Sequence, residues 1–190
     1  PAYNEEESLP FLRERLNELI NNIKKYEFEI LFVNDGSKDS TLKIIKQWRE
    51  DDARISYVDF SRNFGKEAAI YAGFQKATGD FITVIDADLQ QRPETVARMV
   101  KILQDNEEFD CVAAYQEKRQ EGKLVSKLKD MFYKIINRTS EIEFFPGASD
   151  FRTFRRPVVD AVLSLPEYHR FSKGIFSWVG FNTCYIPYTA

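Results

Sequence analysis

Apolar residues along the first 115 positions follow two alternating rhythms. Short β-rich runs at 28–33, 55–60, 81–85 and 109–115 are separated by stretches at 9–25, 40–50, 66–77 and 93–105, where apolar residues recur every three or four positions. The first rhythm predicts buried strands and the second amphipathic helices. In the opening helix Leu9, Leu12, Leu16, Leu19, Ile20 and Ile23 share one face, with Ser8 placed to cap it. Pro93 stands where the fourth helix begins, a position its fixed dihedral favours. Strand and helix in regular alternation predict an α/β domain, with a mainly parallel central sheet and helices on both faces.

Polar residues gather where the strands end. Asp86-Ala87-Asp88 comes directly after Phe81-Ile82-Thr83-Val84-Ile85, and Asn34-Asp35-Gly36-Ser37 comes after the run ending at Val33. Arg62-Asn63-Phe64-Gly65-Lys66 follows the run 55–60, and Pro1-Ala2-Tyr3-Asn4-Glu5-Glu6 precedes the first helix. Open α/β sheets bind ligands outside the carboxyl ends of their strands. Carboxylates two positions apart in an extended segment can face the same way, and their hard oxygens suit Mg2+ or Mn2+. A lone Asp-x-Asp is as readily a solvated turn, so its weight comes from the other polar loops at the same sheet edge.

The ordered motifs PAYNEE, VNDGSKDST, RNFGKEAAIYAGF and DADLQ resemble the inverting family 2 glycosyltransferases of the GT-A fold, from Pro1 to about Tyr188. Within that family the stretches RNFGKEAAIYAGF, DADLQQRPE and GASDFRTFRR are most similar to the polyprenyl-phosphate glycosyltransferases. The resemblance implies transfer of a hexose from a UDP-sugar, or less commonly a GDP-sugar, to a lipid phosphate. It implies one catalytic domain over 1–190, with a nucleotide-sugar half at 1–115 and an acceptor half at 116–190. It also implies a hydrophobic strand ahead of Pro1 and further segments past Ala190.

Site residues follow from the same resemblance. Pro1, Tyr3, Glu5, Asp35, Gly36 and Ser37 are expected around base and ribose. Arg62 and Lys66 offer positive charge to the diphosphate, and Gly65 allows close backbone approach. Asp88 with Asp86 is expected to hold the metal, Ala87 lies between them, and Gln90 is expected beside the sugar or acceptor. Asp150 resembles the family carboxylate near the acceptor, which with Asp88 makes up the catalytic pair. Arg119, Arg152 and Lys173 are the cations expected to meet an acceptor phosphate, although Lys173 stands where many relatives carry arginine and lacks its planar fork.

Composition adds boundaries. The chain has 43% hydrophobic and 30% charged residues and a net charge of −3, ordinary for a folded domain, and no nucleic-acid partner is expected. Residues 116–138 differ, with seven basic against three acidic side chains interleaved with Leu124, Leu128, Met131, Phe132, Ile135 and Ile136. Such a helix fits a surface helix packed on the core, the cytoplasmic face of a membrane, or an interface between two copies. No run of eighteen apolar residues occurs in these 190. Cys111 and Cys184 lack metal-site spacing, and His169, the only histidine, is expected to be structural.

Other nucleotide enzymes fit poorly. No Gly-x-Gly-x-x-Gly follows any strand, and Gly65-Lys66 lacks the spacing of a P-loop. Gln90 occupies the position where a phosphoaspartyl phosphatase needs threonine. Two alternatives stay open: a family 2 enzyme with a saccharide hydroxyl acceptor, and a nucleotide-sugar-binding module without catalysis.

Overall fold

A computed structural model describes residues 1–116, 148–165 and 172–188. The first eight elements alternate: α1 (Leu9–Asn22), β1 (Ile30–Asn34), α2 (Thr41–Asp51), β2 (Ile55–Asp59), α3 (Lys66–Lys76), β3 (Phe81–Val84), α4 (Glu94–Asp105) and β4 (Cys111–Gln116). All eight lie where the apolar rhythm predicts them, with ends displaced by a few residues. Beyond them come β5 (Ala148–Arg155), α5 (Arg156–Ser164), α6 (Ser172–Trp178) and β6 (Thr183–Tyr188).

β1 and β2 pair in parallel. The other strands form a sheet in the order β3-β5-β4-β6, in which β4 and β6 are parallel and β5 lies antiparallel between β3 and β4. Chain direction is therefore shared by β3, β4 and β6, and β5 is the inserted exception. Parallel neighbours need crossover helices, and these bury both sheet faces. On one side Ile70 and Phe74 of α3, Val158 and Val162 of α5 and Phe176 of α6 pack on Ile82, Val84 and Phe154. On the other, Met99 and Leu103 of α4 meet Val112, Phe151 and Ile186. A third cluster places Leu9, Leu12, Ile45 and Trp48 around Phe32.

One local detail differs from the expected one. Ser8 does not cap α1, because its hydroxyl donates to the Glu5 carbonyl (3.2 Å) and to Glu5 Oε2 (2.6 Å). Between β1 and β3 lies an apolar cleft of about 760 Å³, lined by Leu16, Leu31, Val33, Ile82 and Val84 among others. Chain enters beside this cleft, where Ala2 forms a parallel bridge to Asn34, donating to the Val33 carbonyl (2.9 Å) and accepting from the Asp35 amide (2.9 Å).

The sheet carries one irregularity with chemical consequences. From Ala113 to Tyr115 β4 advances two residues, whereas the partners on β5 run from Arg152 to Ala148, so β5 holds two extra residues there. Asp150 lies within this bulge. Ser149 Oγ secures it, donating to the Ala114 carbonyl (2.9 Å) and accepting from the Phe151 amide (3.2 Å). Bulges of this kind re-aim side chains and are common beside active sites.

Candidate active site

Across β3 and β5, Val84 pairs with Arg152. The ladder stops there, and the same register continued by two residues would set Asp86 opposite Asp150. Like charges set across from one another at a sheet end repel. Lys66, the first residue of α3, answers both: its Nζ lies 2.7 Å from Asp86 Oδ2 and 3.0 Å from Asp150 Oδ2. Burial opposes charge on the ammonium, yet hydrogen bonding and charge attraction from Asp86, then Asp150, hold its pKa above the usual value. Asp150 is largely buried, and among the described residues its Oδ1 has no hydrogen-bond partner. A buried carboxylate oxygen without a donor calls for one.

Asp86 has a second holder. Gln91 donates from Nε2 to Asp86 Oδ2 (2.8 Å) and accepts from the Asp86 amide through Oε1 (2.9 Å), and it is buried. Ala87 is buried beneath the pair, whereas Asp88 and Gln90 are exposed. Asp88 Oδ1 accepts from the Gln90 amide (3.0 Å), so Gln90 serves Asp88 through its backbone. Leu89, with φ of +62°, turns the chain so that Gln91 rather than Gln90 faces back. The sequence-based expectation named Gln90 and left Gln91 unassigned.

The loops at the ends of β1 and β2 are fixed to each other. Asp35, only 4% exposed, accepts from the Phe64 amide at Oδ1 (2.7 Å) and the Gly65 amide at Oδ2 (2.9 Å). Asp35 thus clamps the loop that leads to Lys66. Gly36, with φ of +67°, lies against Arg62 so closely that a Cβ would sit 2.3 Å from the Arg62 carbonyl carbon, which no side chain tolerates. Arg62 itself is exposed, its guanidinium 4.1 Å from the ring centre of Phe64.

A second seam joins the opening loop to the loop before α2. Ser37 Oγ accepts from the Asn4 amide (3.0 Å), Asn4 Oδ1 from the Lys38 amide (2.8 Å), and Thr41 Oγ1 from the Glu5 amide (2.7 Å). The Glu5 carboxylate is taken by Ser8, and Tyr3 projects at 42% exposure. Pro1 borders the β1–β3 cleft.

The cations expected at the acceptor divide differently. Arg152 is a correction: at 2% exposure its side chain belongs to the core, with the guanidinium 5.2 Å from the Phe176 ring centre and Nε donating to the Ser149 carbonyl (3.2 Å). A cation so placed braces the Asp150 bulge from beneath instead of meeting a phosphate. Lys173 stands in the first turn of α6. Arg119, most of the basic stretch 116–138 and His169 lie outside the described residues. Sequence reasoning missed Glu67, whose Oε2 accepts from the Ser172 amide (2.9 Å) and from the Ser172 hydroxyl, tying the first turn of α3 to that of α6.

Among the described residues no three His, Cys, Asp or Glu side chains converge into a self-sufficient metal site. Asp86 and Asp88 can still take a hard cation whose remaining ligands are phosphate oxygens and water, the usual arrangement for Mg2+. The ammonium already resting on Asp86 indicates that this carboxylate attracts a cation.

The family 2 glycosyl transferase profile matches residues 1–163. The chain belongs to glycosyl transferase family 2. It is 43% identical over 187 residues to an uncharacterized glycosyltransferase of Synechocystis sp., covering 98% of this chain and 58% of that protein. It is 38% identical over 188 residues to the bactoprenol glucosyl transferase of Shigella phage SfX, covering 99% and 61%. The chain thus spans somewhat over half the length of these curated relatives. Among solved structures, a mannosyltransferase from Pyrobaculum calidifontis in complex with GDP-Man and Mn2+ superposes with a TM-score of 0.62 at 20% identity, covering 98% of this chain and 53% of that one. The fold is that of the GT-A transferases, as the motifs imply. No helix among the described residues is long and apolar enough to cross a membrane.

Proposed function

We propose that this chain is the catalytic part of an inverting, metal-dependent hexosyltransferase, which moves a sugar from a nucleoside diphosphate, UDP before GDP, onto a polyprenyl phosphate at the cytoplasmic face of a membrane. The observation that carries the reading is the meeting of Asp86, Lys66 and Asp150 at one point. A proposed donor-side carboxylate and a proposed acceptor-side carboxylate share a single cation there, which brings the two sides within reach of one another. The 38% identity to a bactoprenol glucosyl transferase supports the lipid phosphate and the glucosyl group.

In this reading the loops bearing Tyr3, Ser37 and Arg62 receive the nucleotide, and the clamp by Asp35 sets where the diphosphate comes to rest. Asp86, held by Gln91, and Asp88 would ligate Mg2+ or Mn2+. The bound cation supplies Lewis-acid neutralisation of the charge that grows on the departing diphosphate. Asp150 faces the acceptor. A phosphate monoester has a second pKa near 6 and arrives largely ionised, so Asp150 then orients the acceptor more than it takes a proton. A hydroxyl acceptor would need Asp150 as general base, an effect worth about a hundred- to ten-thousandfold. The basic stretch 116–138 and Lys173 are assigned to the lipid phosphate and the membrane surface.

The test is transfer from radiolabelled UDP- and GDP-sugars to polyprenyl phosphate by the full-length protein with Mn2+ or Mg2+. Metal-dependent glycolipid is expected, reduced at least about a hundredfold in Asp88→Ala. Product on saccharides alone would replace the acceptor, and nucleotide binding without any product would leave a binding module.

A further inference from the structure

Lys66 sits badly for a residue whose only task is to meet a diphosphate. Its ammonium is half buried and engaged by two carboxylates at 2.7 and 3.0 Å, and one of these, Asp86 Oδ2, is shared with Gln91. A divalent cation ligated by Asp86 would stand within a few ångströms of that ammonium, where like charges repel strongly in a partly desolvated site. The two cations therefore compete for this carboxylate.

We propose that Lys66 is a resident counter-cation: it holds Asp86 and Asp150 together in the empty site, and leaves them for the diphosphate when donor and metal arrive. This rests on the donor and metal reading above. Lys66 is then a positioning residue whose departure unpairs Asp150, making the acceptor side ready only after the donor side is filled. The backbone allows this, because Lys66 opens α3 directly after Gly65, whose φ of +95° and empty surroundings leave the turn sterically open. Glu67, fixed to Ser172, keeps the helix start in place while the neighbouring side chain turns.

The proposal predicts effects of opposite sign from one substitution. Removing the competing ammonium in Lys66→Met should tighten binding of Mn2+ alone, read by electron paramagnetic resonance on the full-length protein, on the order of tenfold. The same variant should weaken binding of UDP or GDP in the presence of Mn2+ by a similar factor, because the diphosphate loses its cation. Lys66→Arg should restore wild-type weakness toward the metal alone, and adding Asp88→Ala to Lys66→Met should abolish the gain. A metal affinity that is unchanged or weaker in Lys66→Met overturns the proposal, since a simple phosphate contact leaves it unchanged and a folding defect weakens it. If the wild-type protein binds neither nucleotide with Mn2+, the donor reading itself falls.

Discussion

The two halves of the proposed site, one for the donor and one for the acceptor, are built by different means. On the donor side, loops at the ends of β1 and β2 are joined through side chains that spend themselves on backbone amides: Asp35 on Phe64 and Gly65, Ser37 on Asn4, Thr41 on Glu5. On the acceptor side, Asp150 is placed by strand register and a bulge, with a buried arginine beneath it. The donor half is therefore a scaffold of short polar bonds that a single substitution can loosen. The acceptor half depends on a sheet whose core must come apart before Asp150 moves.

That contrast breaks most visibly at Asp35. Asp35→Ala strands two loop amides, one on each carboxylate oxygen, and should cost about 2–5 kcal/mol by denaturant unfolding while weakening nucleotide binding as well. Ser149→Ala removes one hydroxyl from the bulge and should cost about 1 kcal/mol, with the effect seen in turnover and not in nucleotide affinity. If Asp35→Ala left stability intact, the clamp would be incidental.

A finer division lies within the loop after β3. Gln91→Leu should reduce metal-dependent nucleotide binding about tenfold or more, because Asp86 loses both bonds that Gln91 makes to it, one at the carboxylate and one at the amide. Gln90→Leu should do little, since its backbone amide makes the bond to Asp88. Equal effects from the two would show that the Gln91 bridge does not orient the metal ligand.

The smallest effect concerns a carboxylate far from the chemistry. The Arg54 side chain donates to Asp52 at 2.7 and 2.9 Å and pulls its pKa from 3.8 to about 2. With the folded value depressed, this pairing contributes stability above about pH 4 that is lost as pH falls through 2. Arg54 is largely exposed, so Arg54→Ala should cost under about 1 kcal/mol at pH 7, while nuclear magnetic resonance shows Asp52 returning toward its ordinary value.

Much of the donor half was legible in the chain because its strands are apolar and its helices amphipathic. β5 was not, since Asp150-Phe151-Arg152-Thr153-Phe154-Arg155 alternates charge with aromatic rings and lacks the continuous apolar run of a buried strand. Its polar side chains are accommodated by partners distant in sequence, such as Thr83 for Thr153 (2.8 Å) and the Phe176 ring for Arg152. The motif singled out Asp150 as a site candidate without revealing its strand. Neither the burial of Arg152 nor the clamp made by Asp35 could be read in advance, because residue type and spacing do not say whether a charge turns outward to a ligand or inward to its own chain. Gln91 depended on the left-handed turn at Leu89, a conformation that leucine does not advertise.

The contact of Gly36 with Arg62 bears on how donor preference could be changed. Two loops that share a backbone contact too close for any methyl group behave as one part with two chain origins. A loop transplanted alone from a relative would carry half of a matched surface. Exchanges meant to alter which nucleotide is accepted should therefore move 34–41 and 61–66 together, and libraries that randomise only one of them will mostly sample misfit.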